Sequence, residues 1–290
     1  MHGDDTIGEH GLAEAHWAAM TCVKVERRAR IVPVRLNRPE KMNAINSAME
    51  KEFYSVLADC DRMEDVRCVV LTAEGANFSS GHDVQQVAAE TIGGQEPATI
   101  EDKYWVHTGD LLPPWRFSKG LVVATKGYVG PHANTFLLAA DVVIAAEDSR
   151  FSWEESRVGV GAPYGPYALM PFHFPIRVMK QLWMTGGWMD AETARQLFYV
   201  NRVVAVGQEE QTALRFAEQI ARMETGDLVA NKRGTHRLYE AAGLLAMVGV
   251  GRDPYVPSAE AAVAKEHHLR LIHEKGVRAA VRERDTGWDD

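Results

Sequence analysis

Apolar and polar positions follow two rhythms along this chain. Four runs rich in β-branched residues, RIVPVRL at 30–36, RCVVLTA at 67–73, LVVATKGYV at 121–129 and DVVIAAED at 141–148, predict buried strands. Between the first two, NSAMEKEFYSVLADCDRM (46–63) changes period. Met49, Phe53, Val56, Leu57 and Cys60 recur at helical spacing, and Ser47 with Glu50 reads as a capping box. The stretch GYVGPHANTFLLAAD (127–141) predicts a strand end, a Gly-Pro turn and an apolar helix between the third and fourth strands. After DAETARQLFYVNRVV (190–204), the run QTALRFAEQIARM (211–223) carries Leu214, Ala217, Ile220 and Ala221 at helical spacing. Strand signals stop at about Glu224, and SAEAAVAKEHHLRLIHEKGVRAAVRERD (258–285) predicts helix broken near Gly276. The pattern is mixed α/β followed by a helical tail.

Composition narrows this picture. With 290 residues, 46% hydrophobic and 25% charged, the chain is long enough for one large core or two modest ones. One core over 20–223 is expected, with a flexible leader at 1–19 and a helical segment at 224–290. The leader contains Asp4, Asp5, Glu9 and Glu14 without a sustained apolar run, unlike a signal peptide, and no segment has the length of a membrane span. Gly93, Gly94 and Pro97 lie in a polar, aperiodic stretch that predicts a mobile loop. Cys22, Cys60 and Cys68 have neither zinc-site nor disulfide-framework spacing, which points to a reducing, cytoplasmic setting. A formal charge of −8 without a dense basic block makes nucleic acid an unexpected partner.

Candidate chemistry sits at two turns and one acidic cluster. A helix starting near Pro131 leaves the His132 amide as its first free donor, and helix starts favour negative charge. On these residues alone, the Gly-Pro pair reads equally as a plain turn. In NFSSGHDV (77–84), Gly81 permits a tight approach of backbone to ligand, with the His82 amide as donor. Two such amides converging on one oxygen would stabilise an enolate or a tetrahedral intermediate. Glu154, Glu155 and Arg157 read as a solvated cluster, or Glu155 among them as a group for acid/base work. Trp153, Trp105 and Trp115 fill a core or wall an apolar pocket around that acid. His267 and His268 are neighbours facing different directions on a helix, so no metal site is expected.

Four stretches, VRLNRPEKMNAIN, CVVLTAEGANFSSGHDV, LLAADVVIAAEDSRFSWEESRVGV and LWMTGGWMDAETARQLFYVNRVV, together resemble the enoyl-CoA hydratase/isomerase (crotonase) superfamily, in order from about residue 21 to about 221. The resemblance implies a crotonase-like spiral of ββα units and a C-terminal helical segment that builds homotrimers or hexamers. It implies an acyl-CoA substrate, with CoA as part of the substrate and no separate cofactor. The His82 and His132 amides would form the oxyanion hole. Glu155 aligns with the second catalytic glutamate of the hydratases, whereas Thr135 stands where the first would be. The His132 ring, if turned inward, would supply the missing acid or base. Met42, Ala44, Ser80 and Asp83 fall at the nucleotide end of CoA, where Gln85 and Gln86 replace a frequent lysine and Arg38 and Lys41 either compensate or decorate the surface. Trp153 and Tyr164, or Tyr167, would shape the acyl pocket. With a single retained carboxylate, isomerisation or a specialised lyase or hydratase step is expected ahead of ordinary hydration. A C–C bond hydrolase of cyclic β-diketones or β-keto thioesters and a non-catalytic acyl-CoA-binding protein are the alternatives.

Overall fold

The structure is a computed structural model that describes residues 9–93, 112–160, 169–247 and 259–288. The stretch 94–111, holding Gly94, Pro97 and Trp105, and the stretch 161–168, holding Tyr164 and Tyr167, lie outside the described residues.

Helix α1 (Glu9–Ala18) and strands β1 (Val23–Val25) and β2 (Ile31–Leu36) open the chain, followed by α2 (Ser47–Arg62), β3 (Cys68–Ala73), α3 (Val84–Thr91) and α4 (Leu112–Arg116). Next come β4 (Gly120–Thr125), β5 (Tyr128–Val129), α5 (Asn134–Ala139), β6 (Val142–Ala146), β7 (Arg150–Ser152) and a 3-10 turn, Glu154–Val158. Helices α6 (Met170–His173) and α7 (Ile176–Thr185), strand β8 (Trp188–Asp190), helix α8 (Ala191–Gln196) and strand β9 (Arg202–Val204) complete the α/β part. Helices α9 (Glu209–Ile220), α10 (Thr225–Ala241), α11 (Ala259–Lys275) and α12 (Val277–Asp285) follow.

A six-stranded sheet runs β1-β2-β3-β4-β6-β9, parallel except for the β1–β2 pair. A smaller sheet runs β5-β7-β8. The continuous hydrophobicity of the strand runs has a direct cause, since every residue of β3 and β4 is buried and both faces of a parallel sheet are covered. Val69, Leu71, Leu121 and Val123 face the larger core with Phe53, Val56 and Phe136. Cys68, Val70, Val122 and Ala124 face Ala213 and Ala217 of α9 on the other side.

The spiral arises because the chain steps repeatedly from the large sheet to the small one and then into helix. The step from β4 to β5 enters α5, and the step from β6 to β7 enters the 3-10 turn. The turn before these follows the same course. After β3, Ser79 forms a parallel bridge to Val129 before α3 begins.

Three expectations need correction. The third run is two strands, because Gly127 adopts φ +54° and turns the chain out of β4 before β5. The cap of α2 is Asn46, whose side chain accepts the Met49 amide at 2.9 Å, and not Ser47. The leader is not loose over 9–18, because Trp17 is buried and its indole N–H donates to Asp59 Oδ2 at 2.9 Å. The helical tail and its break are as expected, with Gly276 at φ +83° between α11 and α12. Among the described residues no helix is long and apolar enough to cross a membrane.

Candidate active site

The spiral brings three equivalent positions together. Ser79 pairs with Val129, and Val129 pairs in turn with Phe151. Three residues beyond each of these lie His82, His132 and Glu154, each at or just before a helical start. Successive turns therefore stack their helix entrances side by side, so that the backbone N–H groups of the first helical turns collect there.

The first two entrances are pressed against each other. Gly130 N donates to Ser79 O at 2.8 Å, and a Cβ on Gly130 would collide with the Ser80 carbonyl. Gly81 adopts φ +87°, and a Cβ there would stand 3.3 Å from the His132 amide nitrogen. Two glycines thus permit the contact that the sequence suggested. Asn134 fixes the second loop from within. Its Nδ2 donates to Gly130 O and Ser152 O, both at 3.1 Å, and its Oδ1 accepts from Tyr199 Oη at 2.9 Å, all of it buried.

A cavity of about 150 Å3 opens beside these entrances. Ser80, His82 and Pro131 line one side and Glu154 and Glu155 another. Val84 and Val87 of α3, Val158 and Val160 supply apolar wall, and Lys265, His268, Leu269 and Arg284 come from α11 and α12. Glu154 is held in place, accepting from Tyr128 Oη at 2.5 Å and pairing with Arg284 Nη1 at 3.1 Å. Burial, and then the neighbouring Glu154 carboxylate, push the Tyr128 hydroxyl well above its ordinary range, so it stays a donor.

Other anticipated residues fall elsewhere. The His132 ring is 4% exposed and is not part of the cavity wall. Its Nε2 lies 2.8 Å from Glu50 Oε1 on α2, and it stacks on the His82 ring with centroids 3.7 Å apart. This corrects its reading as an inward acid or base. The Thr135 hydroxyl donates back to the His132 carbonyl, so it braces the loop instead of acting at the cavity. Trp153 has no exposed surface and packs edge-on against Phe174 at 5.9 Å, making it core and not pocket wall. Trp115 stacks on His236 of α10 and lines a different cavity.

At the expected nucleotide end, Ser80 N donates to Met42 O at 2.8 Å, and the Ala44 carbonyl accepts from Arg38 Nη1 at 2.6 Å. Asp83 is occupied by Arg38 at 2.9 Å and by the Gln86 amide at 3.3 Å as the cap of α3. Lys41 donates to Gln85 Oε1 at 2.5 Å. Arg38 is therefore tied into the protein.

Lys265, His268, Arg284, Tyr128 and Glu154 were missed as site residues. The only signal available for His268 was its place one position before buried Leu269. Its neighbour His267 points away, to Glu283 at 2.5 Å, and no three-residue metal-binding group exists among the described residues. Arg157, read with the acidic cluster, turns to Asp285 at 3.4 Å and lies over the Trp288 ring.

Fold and cavity together define a spiral ββα protein with a carboxylate set beside two adjoining helix-start loops. The sequence profile described as enoyl-CoA hydratase/isomerase matches residues 26–246, and the chain belongs to that family. Mevalonyl-coenzyme A hydratase of Beauveria bassiana is 27% identical over 269 residues, 90% of this chain and 91% of its own. Methylmalonyl-CoA decarboxylase of Escherichia coli is 27% identical over 199 residues, 66% of this chain and 72% of its own. A solved enoyl-CoA hydratase/isomerase from Xanthobacter autotrophicus Py2 shares the fold at a TM-score of 0.81 and 24% identity, covering 94% of this chain and 100% of its own.

Proposed function

We propose that this protein is an acyl-CoA thioester enzyme that moves a proton at the carbon beside the thioester carbonyl. Glu155 takes that proton, the electron pair shifts onto the carbonyl oxygen, and the His82 and His132 amides hold the resulting oxyanion. Glu155 then returns the proton to the same or another carbon. The observation that carries this reading is the small cavity lined together by Ser80, His82, Pro131 and Glu155.

Thr135 stands in place of a second titrating group and Glu154 is paired with Arg284, so the acid/base work is assigned to Glu155 alone. Isomerisation or a lyase step therefore fits better than hydration, which needs two groups acting on water and carbon. Met42, Ala44 and Ser80 remain the proposed contacts for the nucleotide end of CoA, whereas Asp83 acts there through Arg38 and the cap of α3. The reading includes assembly as a homotrimer or hexamer, to which exposed Leu238 and Leu245 would contribute. Sedimentation of at least three copies together tests that part.

His82, as a lining residue of the cavity, supports a second reading, C–C bond hydrolysis of a β-diketone or β-keto thioester with water activated there. Titration calorimetry with CoA and turnover of a panel of thioesters separate the two. The first reading expects CoA binding and thioester turnover, with Glu155→Gln binding normally and losing about a hundredfold or more in kcat. Cleavage of a diketone without CoA binding favours the second.

A further inference from the structure

Helix α11 delivers a cation to the cavity that the proposed reaction does not use. Lys265 stands one helical turn from Ala261, whose backbone presses on Gly159, and one turn from Leu269, which packs with Ala88, Val84 and Val87. Between these two anchors its side chain lines the cavity half-buried. It makes no ion pair within 4 Å with any described residue, while the other cation of the wall, Arg284, is taken up by Glu154 and Asp285. A half-buried ammonium that touches no carboxylate keeps its hydrogen-bond donors available to an anion entering the cavity.

The surroundings add to this. His268, one turn along the same face, has its pKa lowered by burial first, then by Arg284 and His267, with Glu283 and Asp285 acting against them. It is a neutral ring near pH 7, able to donate one N–H to an anion. Val84, Val87, Val158, Val160 and Leu269 supply the apolar part of the lining, with Glu154, held by Arg284, and Glu155 on the same wall. A cavity of about 150 Å3 is below the roughly 300 Å3 at which pockets for drug-sized ligands begin, so it suits a short acyl chain.

We propose that Lys265, with His268, binds a carboxylate at the far end of the substrate's acyl chain, so that the substrate is the CoA thioester of a short dicarboxylic acid. This rests on the thioester reading and adds the acyl class. The test compares glutaryl-CoA with pentanoyl-CoA, which differ by a terminal carboxylate in place of a methyl, in titration calorimetry on the full chain. The protein is expected to bind glutaryl-CoA at least tenfold more tightly, and the ratio should fall toward one in Lys265→Met and in Lys265→Gln. Because the ratio is internal to each variant, partial unfolding does not mimic the effect. Equal affinities in the unsubstituted protein overturn the carboxylate subsite and leave the thioester reading standing. An equal weakening of free CoA by Lys265→Met assigns the lysine to the nucleotide phosphates and overturns the subsite as well. Binding of neither thioester removes the thioester reading and this proposal together.

Discussion

Gly81 occupies a backbone conformation, φ +87°, that an L side chain enters at about 1–2 kcal/mol, and its missing Cβ leaves room for the His132 amide 3.3 Å away. Gly81→Ala is therefore expected to lower stability modestly in urea denaturation and to lower kcat far more, because the added methyl pushes one proposed donor off the shared oxygen. Wild-type kcat in that variant would mean the two loops do not act together. Asn134 is the companion case, satisfying two buried carbonyls and a tyrosine hydroxyl at once. Asn134→Ala should lose about 1–3 kcal/mol for each group left without a partner, read as a lower urea midpoint. The meeting of the His82 and His132 loops and the place of Glu155 on the same cavity as His82 were legible, because local turns and a motif in register carry them. The direction of the His132 ring was not, because it is set by Glu50, far away in sequence on α2. Trp153 misled for a similar reason, since adjacency to Glu155 says nothing of which way a neighbouring side chain points.

At the level of elements, periodicity succeeded where one face of an element decides its fate. Met49, Phe53, Val56, Leu57 and Cys60 are all buried on α2, and burial raises the Cys60 thiol to about 12, which leaves it inert. It failed where a short run changes sheets, as at Gly127, because the strand signal continues through the turn. It also missed α1, whose docking depends on Trp17 finding Asp59, a contact that only the folded chain creates. Trp17→Ala is expected to release α1 without unfolding the sheet. Hydrogen exchange should then show α1 amides losing protection while those of β3 and β4 keep theirs, and unchanged α1 protection would contradict the account of its docking. The tail was read as helix but its destination was not, since α11 settles on α3 through Leu269 and Ile272.

For the whole molecule, three histidines share one electrostatic consequence. His236, lowered to about 4 chiefly by burial, and His173 and His268, lowered by the same cause, are all harder to protonate in the folded state than in the unfolded chain. The unfolded chain therefore binds more protons as pH falls below about 6.5, and stability decreases through that window toward about 4 for His236. Glu26 and Asp285, held low mainly by hydrogen bonds to Arg35 and Arg284, add losses of the same sign at still lower pH. Urea midpoints should fall steadily from pH 7 to pH 4, and a flat profile would contradict this assignment. In the proposed mechanism the stacked turns hold one carboxylate over the carbon beside a thioester whose oxygen is bound by two amides. Proton NMR of an acyl-CoA in deuterated water with catalytic protein tests it most directly. The α-protons are expected to exchange with the unsubstituted protein and to stop exchanging in Glu155→Gln, whereas no exchange in the former, or equal rates in both, rules this mechanism out.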